Sequence, residues 1–394
     1  MTSAACEQAI ADAQRVGRAV LKFISPNDVG LTGSHQKGYY LPKSVWQAFT
    51  TFPPTQGENN DQLVTAVWPD GRETRSTVKW YGKGTRSEYR LTGFNREQNF
   101  PFITRDCVGS LLVLVPESMS RFLMYVFNLE DDIEDLQAAL GVEVVGSWAL
   151  YDRSAPVLPP ESEDACIDRY FGRFAKAITS FPPTLAFASE ARAALERCIQ
   201  DFVSAPSDEQ LLRCVNAEYR LFQMVERKVC EKEIVRLFTS VDDFLKTAQS
   251  ILQRRKARAG RSLEHHVEYL MRRAGIPFEM RVEVEGTRPD VLIPGRAAYL
   301  DPAFPETRLF AVGLKTTCKD RWRQILREAP RVSHKHLLTL QPGISPAQIA
   351  EMRSSTVTLI VPRKLHAAYP PQERRNLLTV DRFIDIVRAS HAAV

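Results

Sequence analysis

What the chain lacks narrows its class before any motif is read. None of its 394 residues belongs to a run of membrane-spanning length and apolarity, for which about 20 consecutive apolar residues are needed. Near the start, residues 10–23 space Val16, Val20 and Leu21 as on a helix. Asp12, Arg15, Arg18 and Lys22 interrupt that run, so it is neither a signal peptide nor a membrane span. Cysteine is sparse and unpatterned. The seven residues are an odd number without CxxC spacing, which indicates neither a disulfide framework nor a zinc site. No internal repeat or low-complexity tract is visible. A reducing, cytoplasmic setting with no membrane partner is expected.

Hydrophobic residues at 44% and charged residues at 25% are those of a folded soluble protein. The length exceeds one ordinary core and predicts two domains with extra helices between them. A formal net charge of +5 favours an acidic partner.

Along the chain, residues 25–42 hold turn-forming Asn27-Asp28 and several glycines. Tyr39 and Tyr40 follow, suited to a core or to stacking on sugars and bases. Residues 62–67, 76–80 and 109–115 are short strands between turns, the pattern of a small β-rich domain. Within residues 79–90, basic and aromatic side chains interleave, which suits phosphate and base contact or a solvated hairpin. Pro156, Pro159 and Pro160 stand among Glu161, Glu163 and Asp164. A first domain over 1–155, a linker over 156–164 and a second domain over 165–394 follow. Helical spacing rules 165–246, with Ser207 or Asp208 placed to cap the helix through Leu211, Leu212, Val215 and Tyr219. Residues 254–261 carry five positive charges and no negative one, and read as a phosphate-gripping run. Ser262 is placed to cap a new helix, with Glu264 in its first turn, where the helix dipole alone favours a carboxylate. Strands over 281–284, 291–293, 309–314, 335–340 and 357–361, with a helix over 320–328, predict an α/β layer on a mixed sheet.

Two of these strands carry the candidate chemistry. Arg288-Pro289-Asp290 leads into Val291-Leu292-Ile293, and the run 309–314 ends on Lys315. Asp on one strand and Lys at the end of its neighbour are the minimum of a metal-dependent phosphodiesterase, the PD-(D/E)XK pattern. The carboxylate holds a divalent ion and the ammonium orients the attacking water. Gly313 stands where a second acid is usual, so another carboxylate must come from elsewhere, and Glu328 and Glu264 are the nearest. A zinc hydrolase built on His334 and His336 wants a third ligand, and His265 and His266 point apart on a helix.

The segment Lys315-Thr316-Thr317-Cys318-Lys319-Asp320-Arg321-Trp322-Arg323-Gln324-Ile325-Leu326 closely resembles the catalytic segment of EcoRII-type (type IIE) restriction endonucleases. The likeness runs upstream through 255–264 and downstream through Met352-Arg353, Val361-Pro362 and Leu365-His366, covering most of the chain. It implies a multidomain α and β protein. An N-terminal β-rich DNA-binding pseudobarrel, similar to a plant transcription-factor domain, precedes a C-terminal α/β PD-(D/E)XK restriction-endonuclease-like domain with an N-terminal helical part. The resemblance also implies Mg2+-dependent cutting of double-stranded DNA at a CCWGG-like site by a homodimer, paired with a DNA methyltransferase in a restriction-modification system.

By the same resemblance Asp290, Lys315, Glu328 and Glu264 are catalytic, and Asp290 and Glu328 hold the metal. The second acid has moved thirteen residues beyond the lysine, to Glu328, which accounts for Gly313. Lys319, Asp320 and Arg321 would read a CC:GG half-site through guanine O6 and N7 and cytosine N4. Tyr219 would stack on a base flipped from the central pair, with Val215 standing where the family has an arginine. His35, Tyr40, Lys83, Arg86, Glu88 and Arg90 would lie at the DNA surface of the first domain, with Tyr89 in place of a basic residue. That domain would bind a further copy of the site and relieve self-inhibition of the catalytic dimer. A DNA-binding regulator without catalysis is the competing class, and the intact Asp290, Lys315, Glu264 and Glu328 argue against it.

Overall fold

In the computed structural model, residues 2–32, 37–94, 100–144, 146–154 and 162–392 are described. The chain divides into two compact units. One comprises residues 1–156, 341–351 and 365–375, and the other 157–340, 352–364 and 376–394. Part of the expected linker, residues 156–161, lies outside the described residues.

Gly17 decides how the first unit begins. Helix α1 (Ala4–Val16) is capped by Ser3, whose side chain accepts from the Cys6 N–H, and ends where Gly17 adopts φ 80°. The chain then turns into strand β1 (Arg18–Phe23), where the sequence pattern had carried a helix to residue 23. The reason is two-sided burial. Val20 packs into one core, while Ala19, Leu21 and Phe23 pack into another. A short run apolar on both faces cannot be told from buried helix by periodicity.

The remaining strands of this unit are β2 (Tyr39–Leu41), β3 (Asn59–Val67), β4 (Glu73–Tyr81), β5 (Glu88–Thr92), β6 (Leu111–Ser118), β7 (Arg121–Phe127) and β8 (Trp148–Asp152), with α2 (Glu130–Leu140) between the last two. They form an eight-stranded sheet in the order β2-β5-β4-β3-β7-β6-β1-β8, antiparallel except where β3 pairs with β7. One core is aromatic, built on Tyr39, Trp68, Trp80, Tyr89 and Phe94. The other joins Cys6, Ala9 and Ala13 of α1 and Ile133 and Leu136 of α2 to the sheet.

The second unit starts with helices α3 (Ser162–Ala177), α4 (Thr184–Cys198), α5 (Ser207–Ile234) and α6 (Val241–Arg273). Phe171, Phe187, Phe202, Leu221 and Phe222 fill the space among the first three. A Cys166–Cys198 disulfide joins α3 to α4, contrary to the expectation that the cysteines stay unpaired, and the other five are buried thiols. Neither Ser207 nor Asp208 caps α5, whose N-cap is Pro206. The Asp208 carboxylate instead accepts from the backbone N–H groups of Arg363 and Val380, at 3.1 and 2.7 Å.

Helix α6 runs unbroken through Gly260 and Ser262, so Glu264 is an interior helical residue and not a first-turn one. Strands β9 (Glu279–Met280) and β10 (Val291–Ile293), helix α7 (Arg296–Leu300), strands β11 (Phe310–Lys315) and β12 (Lys335–Thr339), helix α8 (Pro346–Ser354), strand β13 (Val357–Ile360) and helix α9 (Val380–Ala392) follow. The sheet order is β13-β12-β11-β10-β9. It is mixed as expected, since β11, β12 and β13 are parallel while β10 runs against both neighbours. Residues 281–284 form no strand beyond a Val284–Thr287 bridge, and the helix expected over 320–328 is a 3-10 segment, Arg321–Arg327. Among the described residues no helix is long and apolar enough to cross a membrane.

Candidate active site

Antiparallel pairing of β10 with β11 matches Val291 to Val312, which brings Asp290 beside the end of β11. One Asp290 oxygen, Oδ2, accepts from the Leu314 N–H at 2.8 Å and lies 3.6 Å from Lys315 Nζ. The second contact is an ion pair rather than a hydrogen bond. The expected carboxylate and ammonium therefore meet at the strand ends.

Gly313 has a steric cause. A Cβ there would stand 2.5 Å from Ile325 Cγ2 and 3.4 Å from a Leu337 methyl. The face that would carry a second strand acid is filled by Ile325, which belongs to the 3-10 segment that Glu328 follows. Glu328 is half-buried. Burial raises its pKa first and the Asp290 charge adds to this, while Lys315 and Lys335 oppose them. Asp290, Lys315 and Glu328 thus share one electrostatic field.

Glu264 is almost wholly buried and engaged on both oxygens, with Arg281 on one and Arg261 at 3.2 Å on the other. Burial raises its pKa, Arg281 and Arg261 lower it, and Asp290 raises it. Arg281 holds φ 50°, and its backbone N–H donates to the Asp290 carbonyl at 3.0 Å. Among the described residues no three His, Cys, Asp or Glu are gathered as a metal cage. The oxygen-only pair Asp290 and Glu328, mutually repelling, nevertheless suits a hard divalent ion, which keeps water among its ligands.

Among the described residues the histidines build no metal set. His336 is buried against Phe310 and Phe383, and its pKa is driven down to about 3 by burial and then by His334. His334 Nε2 bonds Thr358 Oγ1 at 2.7 Å. His265 meets Thr184, and His266 pairs with Glu218 at 2.8 Å.

Lys319, Asp320 and Arg321 lead into the 3-10 segment, Lys319 buried, Asp320 exposed and Arg321 between. Tyr219 lies half-buried on α5, accepting from Gln223 Nε2 at 2.8 Å, with the Arg258 guanidinium 5.2 Å from its ring. Val215 is buried one turn earlier. The basic run 254–261 is not a solvated strip. Arg254 pairs with Glu233, Arg255 with Glu226 at 2.8 Å, Arg258 with Glu218 at 3.8 Å and Arg261 with Glu264. Winding on α6 turns the first three toward the carboxylates of α5, so these three are held in ion pairs within the chain, while Arg261 stays about half exposed.

In the first unit His35 lies outside the described residues. Tyr40 of β2 pairs with Arg90 of β5, and Glu88 pairs with Tyr81 of β4. Because alternate strand residues share a face, Tyr40, Glu88 and Arg90 lie together, joined by Lys79 and Tyr81 of the basic and aromatic run 79–90. Tyr89 faces the opposite way into the aromatic core, its hydroxyl donating to the Phe52 carbonyl at 2.7 Å. Arg90 is only 3% exposed and holds Glu88 at 2.9 Å. Lys83 and Arg86 are exposed in the β4–β5 turn, the Arg86 guanidinium 5.5 Å from the Tyr81 ring.

Residues 16–152 match the family model for restriction endonuclease EcoRII, N-terminal, and residues 222–384 the model for EcoRII C terminal. The type II restriction enzyme EcoRII of Escherichia coli is 34% identical over 381 residues, covering 92% of this chain and 92% of that enzyme. The type II restriction enzyme SsoII of Shigella sonnei is 27% identical over 124 residues, 29% of this chain and 40% of that enzyme. Among solved structures, a restriction endonuclease PspGI–substrate DNA complex aligns with a TM-score of 0.47 at 15% identity, over 54% of this chain and 95% of that one.

Proposed function

Because the chain belongs to the EcoRII family and is a type II restriction endonuclease, we propose that Asp290, Lys315 and Glu328 form its DNA-cutting centre. The observation that carries this is the 3.6 Å approach of Lys315 Nζ to Asp290 Oδ2, in the field of Glu328. The target is double-stranded DNA with a CCWGG-like sequence, and the cofactor is Mg2+, held by Asp290 and Glu328. When bound, the ion supplies charge neutralisation at the scissile phosphate and activation of water. The Leu314 N–H fixes one Asp290 oxygen. The Lys315 ammonium orients water for attack and stabilises the negative charge that develops on phosphate. Glu264 braces this arrangement through Arg281, whose N–H holds the Asp290 carbonyl.

Lys319, Asp320 and Arg321 read the half-site, and Tyr219 receives a flipped base of the central pair. A palindromic site needs a twofold dimer, each copy cutting one strand. Residues 1–155 form an effector domain in which His35, Tyr40, Lys83, Arg86, Glu88 and Arg90 meet a further copy of the site, and its binding activates cutting by residues 165–394. A partner DNA methyltransferase protects the same sequence in the cytoplasm. Digestion of a plasmid carrying several CCWGG sites, with and without Mg2+, followed by sequencing of the ends, tests this reading. Discrete Mg2+-dependent fragments ending at those sites are expected. Binding without cutting would overturn it in favour of a regulator.

A further inference from the structure

Glu328 follows a 3-10 segment and stands on no strand, so its placement depends on what holds the turn after it. Ala329 is fully buried with φ 43°, a left-handed backbone that disfavours a residue with a Cβ, and Pro330 restricts it further. Both of its backbone polar groups are taken by side chains. Its N–H donates to Thr287 Oγ1 at 3.0 Å, and its carbonyl accepts from Lys335 Nζ at 2.5 Å as well as from the Val332 N–H at 2.9 Å.

Lys335 opens β12 and is only 5% exposed. A buried ammonium is costly unless charge and hydrogen bonds compensate it, and the acids acting on this one are Glu328, Glu306 and Glu285. A neutral donor would suffice for one carbonyl. Among the charges that act on Glu328, Lys335 opposes Asp290, after Lys315.

Resting on the reading of Glu328 as a metal ligand, we propose that Lys335 is a positioning residue for the cutting centre. It clamps the turn that follows Glu328 through the Ala329 carbonyl. Lys335 does not touch DNA or the reacting atoms in this account. It sets how readily the two carboxylates accept a divalent ion together.

The test is Mn2+ binding to the full chain by electron paramagnetic resonance, with Mg2+ titrations of cleavage alongside, for wild type, Lys335→Met, Thr287→Val and Glu328→Gln. Loss of a group that orients a ligand weakens metal affinity about 10- to 100-fold. Lys335→Met is expected to weaken Mn2+ binding by that factor and raise the half-maximal Mg2+ concentration, leaving the rate at saturating Mg2+ much less affected. Thr287→Val, which releases the N–H of the same residue, Ala329, is expected to move both readouts the same way by less. Should Lys335→Met fail to fold, Thr287→Val carries the test. Wild-type Mn2+ affinity in every folded variant of Lys335 or Thr287, with Glu328→Gln impaired, overturns the role of Lys335 alone. Wild-type affinity in Glu328→Gln overturns the ligand reading beneath it.

Discussion

A methyl group placed on Gly313 would stand 2.5 Å from Cγ2 of Ile325. That contact links a gap in a sequence pattern to the position of an acid. The strand position two before Lys315 is closed to any side chain because Ile325 packs over it, and three residues beyond Ile325 the chain delivers Glu328.

Gly313→Ala is therefore expected to destabilise the fold by about 1–3 kcal/mol through overpacking. The penalty should shrink in an Ile325→Ala background, giving a coupling of at least roughly 0.5 kcal/mol in a double-mutant cycle measured by urea unfolding. Additive effects would show that the two residues are not in conflict.

His336 makes stability depend on acid. Burial, and after it the charge of His334, holds its pKa down at about 3, against 6.5 for the free side chain. Between those values the unfolded chain binds a proton that the folded chain refuses. The contribution is thus fully present above about pH 6.5 and is lost as pH falls toward 3. His336→Phe should flatten the decline of unfolding free energy across that window. An unchanged slope would assign the acid sensitivity to other groups.

The Cys166–Cys198 bond closes a 32-residue separation between α3 and α4. Cys198→Ser is expected to cost about 2–4 kcal/mol under oxidising conditions, and nothing in excess reductant. Equal unfolding midpoints with and without reductant in the unaltered protein would contradict this.

Arg86 tests the first unit. In a Lys315→Ala background, Arg86→Ala should weaken binding to CCWGG DNA and lower the slope of log affinity against log salt by about 1. A lost affinity with an unchanged salt slope would argue against a phosphate contact at this position.

Much of this molecule was legible in its residues, and the exceptions have physical causes. Asp290 and Lys315 could be read because strand register follows from short apolar runs, and β10 and β11 fall within a residue of where those runs lie. Strand β1 could not, since its two faces enter two cores and leave no alternation. Gly260 and Ser262 look like a helix boundary, yet α6 passes through them. The partners of the 254–261 arginines lie on α5, and no local spacing reveals Glu218, Glu226 or Glu233 as their acceptors. Cys166 and Cys198 gave no signal for the same reason. Lys335 read only as the first residue of a strand, because its carbonyl partner belongs to a turn that no periodicity describes.

The most direct test of the cutting centre is Lys315→Ala in the full chain, assayed for Mg2+-dependent cleavage of a CCWGG plasmid and for binding to the same DNA. Cleavage should disappear while binding persists, because the ammonium beside Asp290 acts on the attacking water and not on base recognition. A Lys315→Ala protein that cuts at the wild-type rate would contradict the account.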